Sequence, residues 1–202
     1  MMFISNVFYF SKDEISGNRV ILHFGAADYK TTVWINGTPA GDSHIGGQTP
    51  FSYDITSLIT DGENIITVSC FDDTRGVQPN GKQCQTYKSS VCRYTRTTGI
   101  WQTVWYEIVP KDHILSARLD TDIENGILSI SAKLCGRSDF SAEVYYKGKK
   151  VGEGIRKNQS SVAHLEISLS EIHRHPDAEQ YVPGFWLHKY IFFHVYLHNL
   201  DN

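Results

Sequence analysis

Apolar and polar residues alternate in short runs along most of the chain, and these runs are rich in Val, Ile, Tyr, Phe and Trp. A period of two residues is typical of β-strands that bury one face. In the first half, the pattern predicts strands over residues 6–10, 19–25, 31–36, 64–72 and 99–109. Asn36-Gly37 predicts a hairpin, because a type I′ turn needs two residues that tolerate positive φ. Asp61-Gly62 predicts a second turn before the strand that follows it.

The pattern restarts after residues 110–112, where a long aromatic strand ends at Pro110 and a more charged segment begins. Such a change is typical of a domain boundary, and we expect two domains, residues 1–110 and 111–202. In the second domain, strands are predicted over residues 114–119, 126–134, 141–146 and 161–169, with turns at 124–126 and 147–149. These strands correspond to part of an immunoglobulin-like sandwich, which has about seven. The whole chain is therefore expected to be all-β.

Composition narrows the choice of partners and compartment. The formal net charge is -3, and no long basic run occurs, so nucleic acid is not an expected partner. No stretch approaches the roughly 18 apolar residues of a membrane span, and the start lacks the features of a secretory signal. Without CxxC spacing, Cys70, Cys84, Cys92 and Cys135 are predicted to be free thiols. The expected location is cytoplasmic.

Large aromatic side chains occupy alternating strand positions in the first half. Burying them in a sandwich core gains the most area per residue, so core packing is the predicted role and sugar stacking the alternative. The residues concerned are Phe24, Trp34, Trp101, Trp105 and Tyr106.

The sequence offers no clear acid–base pair and no metal site. Asp72 and Asp73 are adjacent, and adjacent side chains of a strand point to opposite faces, so they are assigned to a strand end and turn. The nine histidines are scattered. His194 and His198 would share a face in a helix, but the residues around them are strand formers. No metal and no cofactor are predicted.

Six segments of the first half occur together in a recognisable order. They are RVILHFGAADY, VWINGTPAG, HIGGQTPFSYDIT, GENIITVSCFDD, QPNGKQ and TRTTGIWQTVWYEIV. Over residues 6–110 they resemble the sugar-binding jelly-roll domain of glycoside hydrolase family 2, the β-galactosidase and β-glucuronidase group. By position and strand pattern, the second half is similar to the immunoglobulin-like domain that follows in this family. The resemblance implies a galactose-binding-like jelly-roll sandwich followed by an immunoglobulin-like sandwich, each present in part.

The resemblance also sets an expectation about activity. Family members hydrolyse glycosides with retention, using two glutamates on a catalytic barrel, and no segment here resembles that barrel. No catalytic residue is predicted, and the expected function is that of a non-catalytic sugar-binding or structural portion of a family 2 glycosidase. The alternatives are a free-standing carbohydrate-binding module and an interaction piece that completes a glycosidase in trans.

Loops of this domain in the family reach toward the mouth of the barrel and help to shape the sugar site. The resemblance therefore implies that polar loops of this chain contact carbohydrate, with ordinary solvated loops as the alternative. The candidate residues are Asp42, His44, Gln48, Lys82, Gln83 and Arg96.

The chain departs from the family pattern at both ends. In the family, several strands precede the segment that resembles residues 7–26, and residues 181–202 do not match the family's approach to the barrel. A truncation or frameshift in a longer ancestral gene is one hypothesis. A sandwich without an edge strand exposes backbone donors and apolar surface, which favours a homo-oligomer or a marginally stable monomer. The aromatic residues 185–196 are expected either to supply a substitute strand or to cover a gap between domains.

Overall fold

The computed structural model describes residues 1–73, 76–79, 81–84, 86 and 88–171, and the backbone of residues 191–198. The chain forms two compact units, Met1–Pro110 and Lys111–Asn202. Across the described residues both units are built from antiparallel strands, and the single helix, α1 (Lys12–Ile15), has one turn. The all-β sandwich fold predicted from the alternation is confirmed.

Two main sheets form the first unit. Its strands are β1 (Met2–Phe10), β2 (Asn18–Phe24), β3 (Ala27–Asp28), β4 (Lys30–Ile35), β5 (Thr38–Pro39), β6 (His44–Ile45), β7 (Phe51–Asp54), β8 (Gly62–Phe71), β9 (Gly99–Ile100) and β10 (Val104–Pro110). One sheet has the order β1-β8-β4-β5, with β6 also on β4, and the other has the order β10-β2-β7. The short strands β3 and β9 pair with each other.

Alternating side chains of these strands form one apolar core. Its fully buried members include Val20, Phe24, Val33, Ile35 and Ile55. The predicted hairpin follows β4, where Asn36 and Gly37 have φ of 51° and 80°, as a type I′ turn requires. This turn fixes which face of β4 points to the core.

The aromatic residues of the first unit depart from the prediction of core packing. Phe24 is fully buried as expected, but Trp101, Trp105 and Tyr106 are 48%, 41% and 48% exposed. For Trp101 the prediction failed because residues 99–109 do not form one strand: β9 ends at Ile100 and β10 begins at Val104. The break moves Trp101 into a loop, and the outer face of β10 carries Trp105. Trp34 is half-buried.

Among the described residues, the strands of the second unit are longer than predicted. They are β11 (His113–Asp122), β12 (Ile127–Tyr146), β13 (Lys149–Ser168) and β14 (Ile191–His198). The predicted strands 126–134 and 141–146 are one strand, because irregular pairing between Lys133 and Phe140 bends β12 without ending it. β11 pairs with the part of β12 up to Cys135, and β14 pairs with the part from Asp139 onward.

A second apolar core comes from the long β12–β13 hairpin. Leu128, Ile130, Phe140 and Val144 of β12 are at most 1% exposed, and Ile167 of β13 is equally buried. The turn at Lys147-Gly148 has positive φ at both residues, so the predicted position of this hairpin is correct.

The end of the chain supplies one strand, because β14 pairs with β12 over residues 191–198. This matches the expectation of a substitute strand for that part of the aromatic tail. Phe185, Trp186 and Tyr190 lie outside the described residues, as do His173, His175 and His188. In the part of the chain that the structure describes, no helix is long and apolar enough to cross a membrane, and no three metal-binding side chains cluster.

Candidate functional site

A buried carboxylate, Asp28, lies at the end of β3 where several loops of the first unit meet. The residue is only 8% exposed, and its Oδ2 accepts a hydrogen bond of 2.9 Å from Nε2 of Gln83. The Oε1 atom of Gln83 in turn accepts the backbone N–H of Thr97 at 3.1 Å. Gln83 therefore joins Asp28 to the segment that precedes β9.

The loop that follows β6 packs directly against the same carboxylate. A Cβ atom on Gly47 would lie 2.5 Å from Oδ1 of Asp28, so the loop can pass this close only because position 47 is glycine. The neighbouring Gly46 donates its N–H to the carbonyl of Tyr29 at 3.0 Å. The carbonyl of Gly47 accepts Nε1–H of Trp101 at 2.8 Å. These contacts hold the 46–48 loop and the Trp101 indole together.

A second carboxylate, Asp72, stands just past the end of β8. Its Oδ2 accepts the hydroxyl of Thr98 at 3.0 Å, and its Oδ1 accepts a hydrogen bond from Nε2 of Gln78. Asp72 therefore holds the segments around Gln78 and Thr98, in agreement with its predicted place at a strand end and turn. The loop cluster is the name used below for Asp28, residues 46–48, Asp72, Gln83 and residues 96–101.

The surroundings of Asp28 make its ionised form less favourable than it is in water. Burial raises the pKa of the Asp28 carboxyl most strongly, and the negative charge of Asp72 raises it further. The hydrogen bond from Gln83 opposes both effects, because it stabilises the ionised form. The pKa of Asp28 consequently lies above its ordinary value.

The hydrogen bonds also bear on what the two carboxylates can do. A retaining glycosidase needs two carboxyl groups about 5–5.5 Å apart that face one glycosidic bond. Asp28 is buried and already accepts a hydrogen bond, and both oxygens of Asp72 accept internal hydrogen bonds. Their arrangement is typical of a pair that organises loops, because neither presents both oxygens to solvent.

The structure brings part of the predicted site together around Asp28. Gln83 contacts Asp28 directly. Gln48 follows Gly47 in the chain and is exposed. Arg96, which is half-buried, immediately precedes Thr97, whose N–H is held by Gln83.

Two of the predicted residues make other contacts. His44 lies on β6, where its ring stacks on Phe51 with 4.0 Å between centroids, and its Nε2 lies 3.3 Å from the hydroxyl of Thr49. Asp42 is exposed, and its carbonyl accepts the hydroxyl of Tyr53 at 2.8 Å. These contacts attach the 42–44 segment to β7.

Lys82 lies beside Gln83 on a loop that is paired by its backbone. The Lys82 carbonyl accepts the N–H of Tyr94 at 3.1 Å, and the N–H of Cys84 is donated to the carbonyl of Tyr94 at 2.9 Å. The Lys82 residue is exposed. This pairing places the segments 82–84 and 93–97 side by side.

Sequence reasoning missed Asp28 and Trp101 as members of the cluster. Asp28 follows three small residues, Gly25-Ala26-Ala27, and this stretch alone does not indicate that the carboxylate is buried. Trp101 was assigned to the core because the break between β9 and β10 was not foreseen.

Comparison with known proteins shows which proteins the chain is similar to. No family model matches the chain. It is 30% identical over 171 residues to the β-galactosidase of Thermoanaerobacter pseudethanolicus, covering 82% of this chain and 21% of the relative. It is 25% identical over 147 residues to the β-galactosidase of Clostridium acetobutylicum, covering 71% of this chain and 15% of the relative. The chain thus spans about a fifth or less of the length of these relatives.

Solved structures show the same fold. A glycosyl hydrolase family 2 member from Bacteroides cellulosilyticus superimposes with a TM-score of 0.65 at 16% identity, covering 84% of this chain and 24% of that protein. A β-glucuronidase from Bacteroides uniformis gives a TM-score of 0.63 at 18% identity, covering 83% and 22%.

The all-β fold is shared with these solved structures, and the curated relatives support a glycosidase-related domain. The chain is related to glycoside hydrolase family 2, the family of β-galactosidases and β-glucuronidases. The resemblance stated from the sequence is confirmed.

Proposed function

We propose that the chain acts as a non-catalytic, carbohydrate-contacting portion of a family 2 glycosidase. The observation that carries the proposal is the loop cluster around Asp28, in which Gly47 fixes an exposed Trp101 indole. Carbohydrate sites in proteins combine an aromatic surface with a few fixed polar groups. Trp101 supplies the aromatic surface, and Gln48, Lys82 and Arg96 supply polar groups on the adjoining segments.

The proposal assigns no chemistry to the carboxylates of the cluster. Asp28 and Asp72 are engaged with Gln83, Gln78 and Thr98, so their role is to hold loops. We expect the purified chain to release no nitrophenol from nitrophenyl β-galactoside, β-glucuronide or β-mannoside. Turnover above that of a mock purification would overturn the non-catalytic part of the proposal.

Two alternatives predict different behaviour in solution. A free-standing carbohydrate-binding module would bind sugar without any other chain. An interaction piece would acquire activity only after mixing with a chain that contains a catalytic barrel. We favour a portion of a glycosidase because the relatives match over a small share of their own length.

Sugar contact at the loop cluster is tested by two matched tryptophan variants. Trp101→Ala removes the indole beside Gly47, whereas Trp105→Ala removes an equally exposed indole that stacks on His23, with 4.9 Å between ring centroids. In calorimetric titration with β-galactosides and β-glucuronides, Trp101→Ala should weaken binding about tenfold, which equals ~1.4 kcal/mol.

Trp105→Ala should leave the affinity unchanged, since its indole lies on the outer face of β10. Equal losses in the two variants would contradict a site at the loop cluster. Wild-type chain that binds none of these sugars would contradict sugar contact by the isolated chain.

A further inference from the structure

The strand β1 forms an edge of its sheet with an unusual composition. Among the described residues β1 pairs only with β8, and the pairing runs without a register shift from Met2 to Phe10. The strand contains no charged residue and no proline. Protein edges are commonly protected by charges, prolines or bulges, because an open edge can pair with another strand. None of these protections occurs in β1.

Backbone contacts show which groups of β1 face the open edge. Ile65 lies opposite Val7, but its N–H and C=O both bond to Asn36 on the other side of β8. Val7 and Ile65 are therefore a non-hydrogen-bonded pair, and the N–H of Val7 is instead donated to the side chain of Asn6 at 2.8 Å. By alternation, the N–H and C=O groups of Phe3, Ser5, Val7 and Tyr9 point away from β8.

The open edge is complementary to a second copy of itself. If two β1 strands run antiparallel about a two-fold axis at Asn6, Phe3 lies opposite Tyr9 and Ser5 lies opposite Val7. All of these residues have edge-facing backbone groups, so each opposing pair can exchange two hydrogen bonds once the N–H of Val7 leaves the Asn6 side chain. Phe3 and Tyr9 are 65% and 66% exposed, and cross-strand aromatic pairs add stability. Identical charged strands would repel, but β1 carries no charge.

The area is consistent with a reversible association. Large aromatic side chains bury about 150–250 Å² each when fully covered, and the pairing covers much of Phe3, Tyr9 and Val7 in both copies. Together with the strand edges, this amounts to at most roughly 1,000 Å² in total, the lower limit for a specific interface. An interface of this size predicts a weak, concentration-dependent dimer.

We propose that the chain forms a homodimer through β1, with two copies paired antiparallel about a two-fold axis at Asn6. The dimer continues the β1-β8-β4-β5 sheet into the partner copy. No residue of the loop cluster around Asp28 belongs to β1. The proposed dimer therefore does not depend on sugar contact.

Sedimentation equilibrium of the full chain tests the association, over concentrations from roughly 1 to 100 μM. The mass should rise from 22.9 kDa toward twice that value. Val7→Pro removes an N–H that faces the open edge and no bond to β8, so it should weaken dimerisation at least tenfold. A mass that stays at the monomer value for wild-type chain would overturn the proposal.

Ile65→Lys is the matched control. Ile65 lies on the same sheet face directly opposite Val7 and has nearly the same exposure, 42% against 43%, but it belongs to β8 and not to the edge. Pairing through the edge predicts that Ile65→Lys dimerises like wild type. Loss of the dimer in Ile65→Lys, with retention in Val7→Pro, would mean that the copies pack face to face and would overturn the proposal.

A cysteine at the two-fold axis tests the register even if Val7→Pro fails to fold. In a Cys92→Ser background, Asn6→Cys places the two thiols on opposing residues of a non-hydrogen-bonded pair, where Cα atoms lie about 4.5 Å apart. It should form a disulfide-linked dimer on mild oxidation. Tyr9→Cys puts its two thiols about 20 Å apart and should not cross-link. Equal cross-linking of both variants, or none in Asn6→Cys, would contradict this register.

Discussion

The loops around Asp28 and the β12–β13 hairpin are held together in different ways. The hairpin follows from alternation: its apolar residues point to one core, and its bulges are absorbed within continuous strands. The loops depend on individual contacts, such as Gln83 to Asp28 and Trp101 to Gly47. Regular elements tolerate many sequences with the same pattern, whereas such loops depend on a few particular residues. The proposed sugar contacts therefore fall on the part of the first unit that depends most on individual residues.

Removal of a large side chain from the hairpin core should have the largest effect on stability. Phe140 is fully buried in the second unit, so Phe140→Ala should lower the free energy of unfolding by about 3–5 kcal/mol. Chemical denaturation followed by far-UV circular dichroism measures this change. Leu115→Ala, at a residue 59% exposed, should cost no more than about 0.5 kcal/mol. Similar costs for the two variants would contradict the assigned core.

Gly47→Ala should lower the free energy of unfolding by less than Phe140→Ala does. The Cβ atom of Gly47→Ala would meet Oδ1 of Asp28, and a clash of this kind costs about 1–3 kcal/mol. The indole N–H resonance of Trp101 should shift, since its acceptor is the carbonyl of Gly47.

Gly148→Asn provides the control for Gly47→Ala. Gly148 has φ of 80° and open space around its Cα, and Asn tolerates this conformation. The change should therefore be close to neutral and leave the Trp101 resonance in place. If Gly47→Ala is also neutral, the close packing of the loop on Asp28 is wrong.

Two aspartates of the first unit should respond to pH in opposite directions. The pKa of Asp28 is raised, mainly by burial, so its ionised form weakens the folded state at neutral pH. Asp28→Asn should be more stable than wild type there. The advantage should begin to shrink as pH falls through the raised pKa of folded Asp28, and it should vanish below the ordinary aspartate pKa, where the carboxyl is neutral in both the folded and the unfolded chain.

Asp54, on strand β7, should give the opposite pH dependence of stability to Asp28. Burial acts to raise the pKa of Asp54, but hydrogen bonds from Thr56 and Arg19 outweigh it and lower the pKa. Its stabilisation is present above the ordinary aspartate pKa and is lost as pH falls through the lowered folded value. Asp54→Asn should thus be less stable than wild type at neutral pH, with the deficit vanishing in acid. Thermal unfolding across pH measures both variants, and the same sign for both would contradict these assignments.

The sequence predicted the regular parts of the fold well, and particular residues explain why. Asn36-Gly37 and Lys147-Gly148 locate their hairpins because positive φ is needed at both positions. β8 begins at Gly62, within the turn predicted at Asp61-Gly62 and two residues before the predicted strand, and Gly62 has a positive φ of 87°. Local pattern alone could not show that bulges near Gly136 would bend β12 without ending it, because the bend depends on pairing with β13.

The candidate site could be predicted only in outline. The polar loops were recognisable from the sequence, but the sequence did not show which of their residues would touch one another. The contact of Asp28 with Gln83 joins residues 55 positions apart, and no periodicity encodes such a contact. Trp101 has the composition of a core residue, and only the break between β9 and β10 exposes it. The carbohydrate contacts proposed for Asp42, His44, Gln48, Lys82, Gln83 and Arg96 stay predictions.

The most direct test of sugar contact at the loop cluster is a nuclear magnetic resonance titration of the isotope-labelled chain with a β-galactoside and a β-glucuronide. The account predicts saturable shifts of the Trp101 indole N–H and of the amides of Gly46, Gly47 and Gln48, with the Trp105 indole unchanged. Saturable shifts centred on Trp105, or no shifts at saturating sugar, would contradict it.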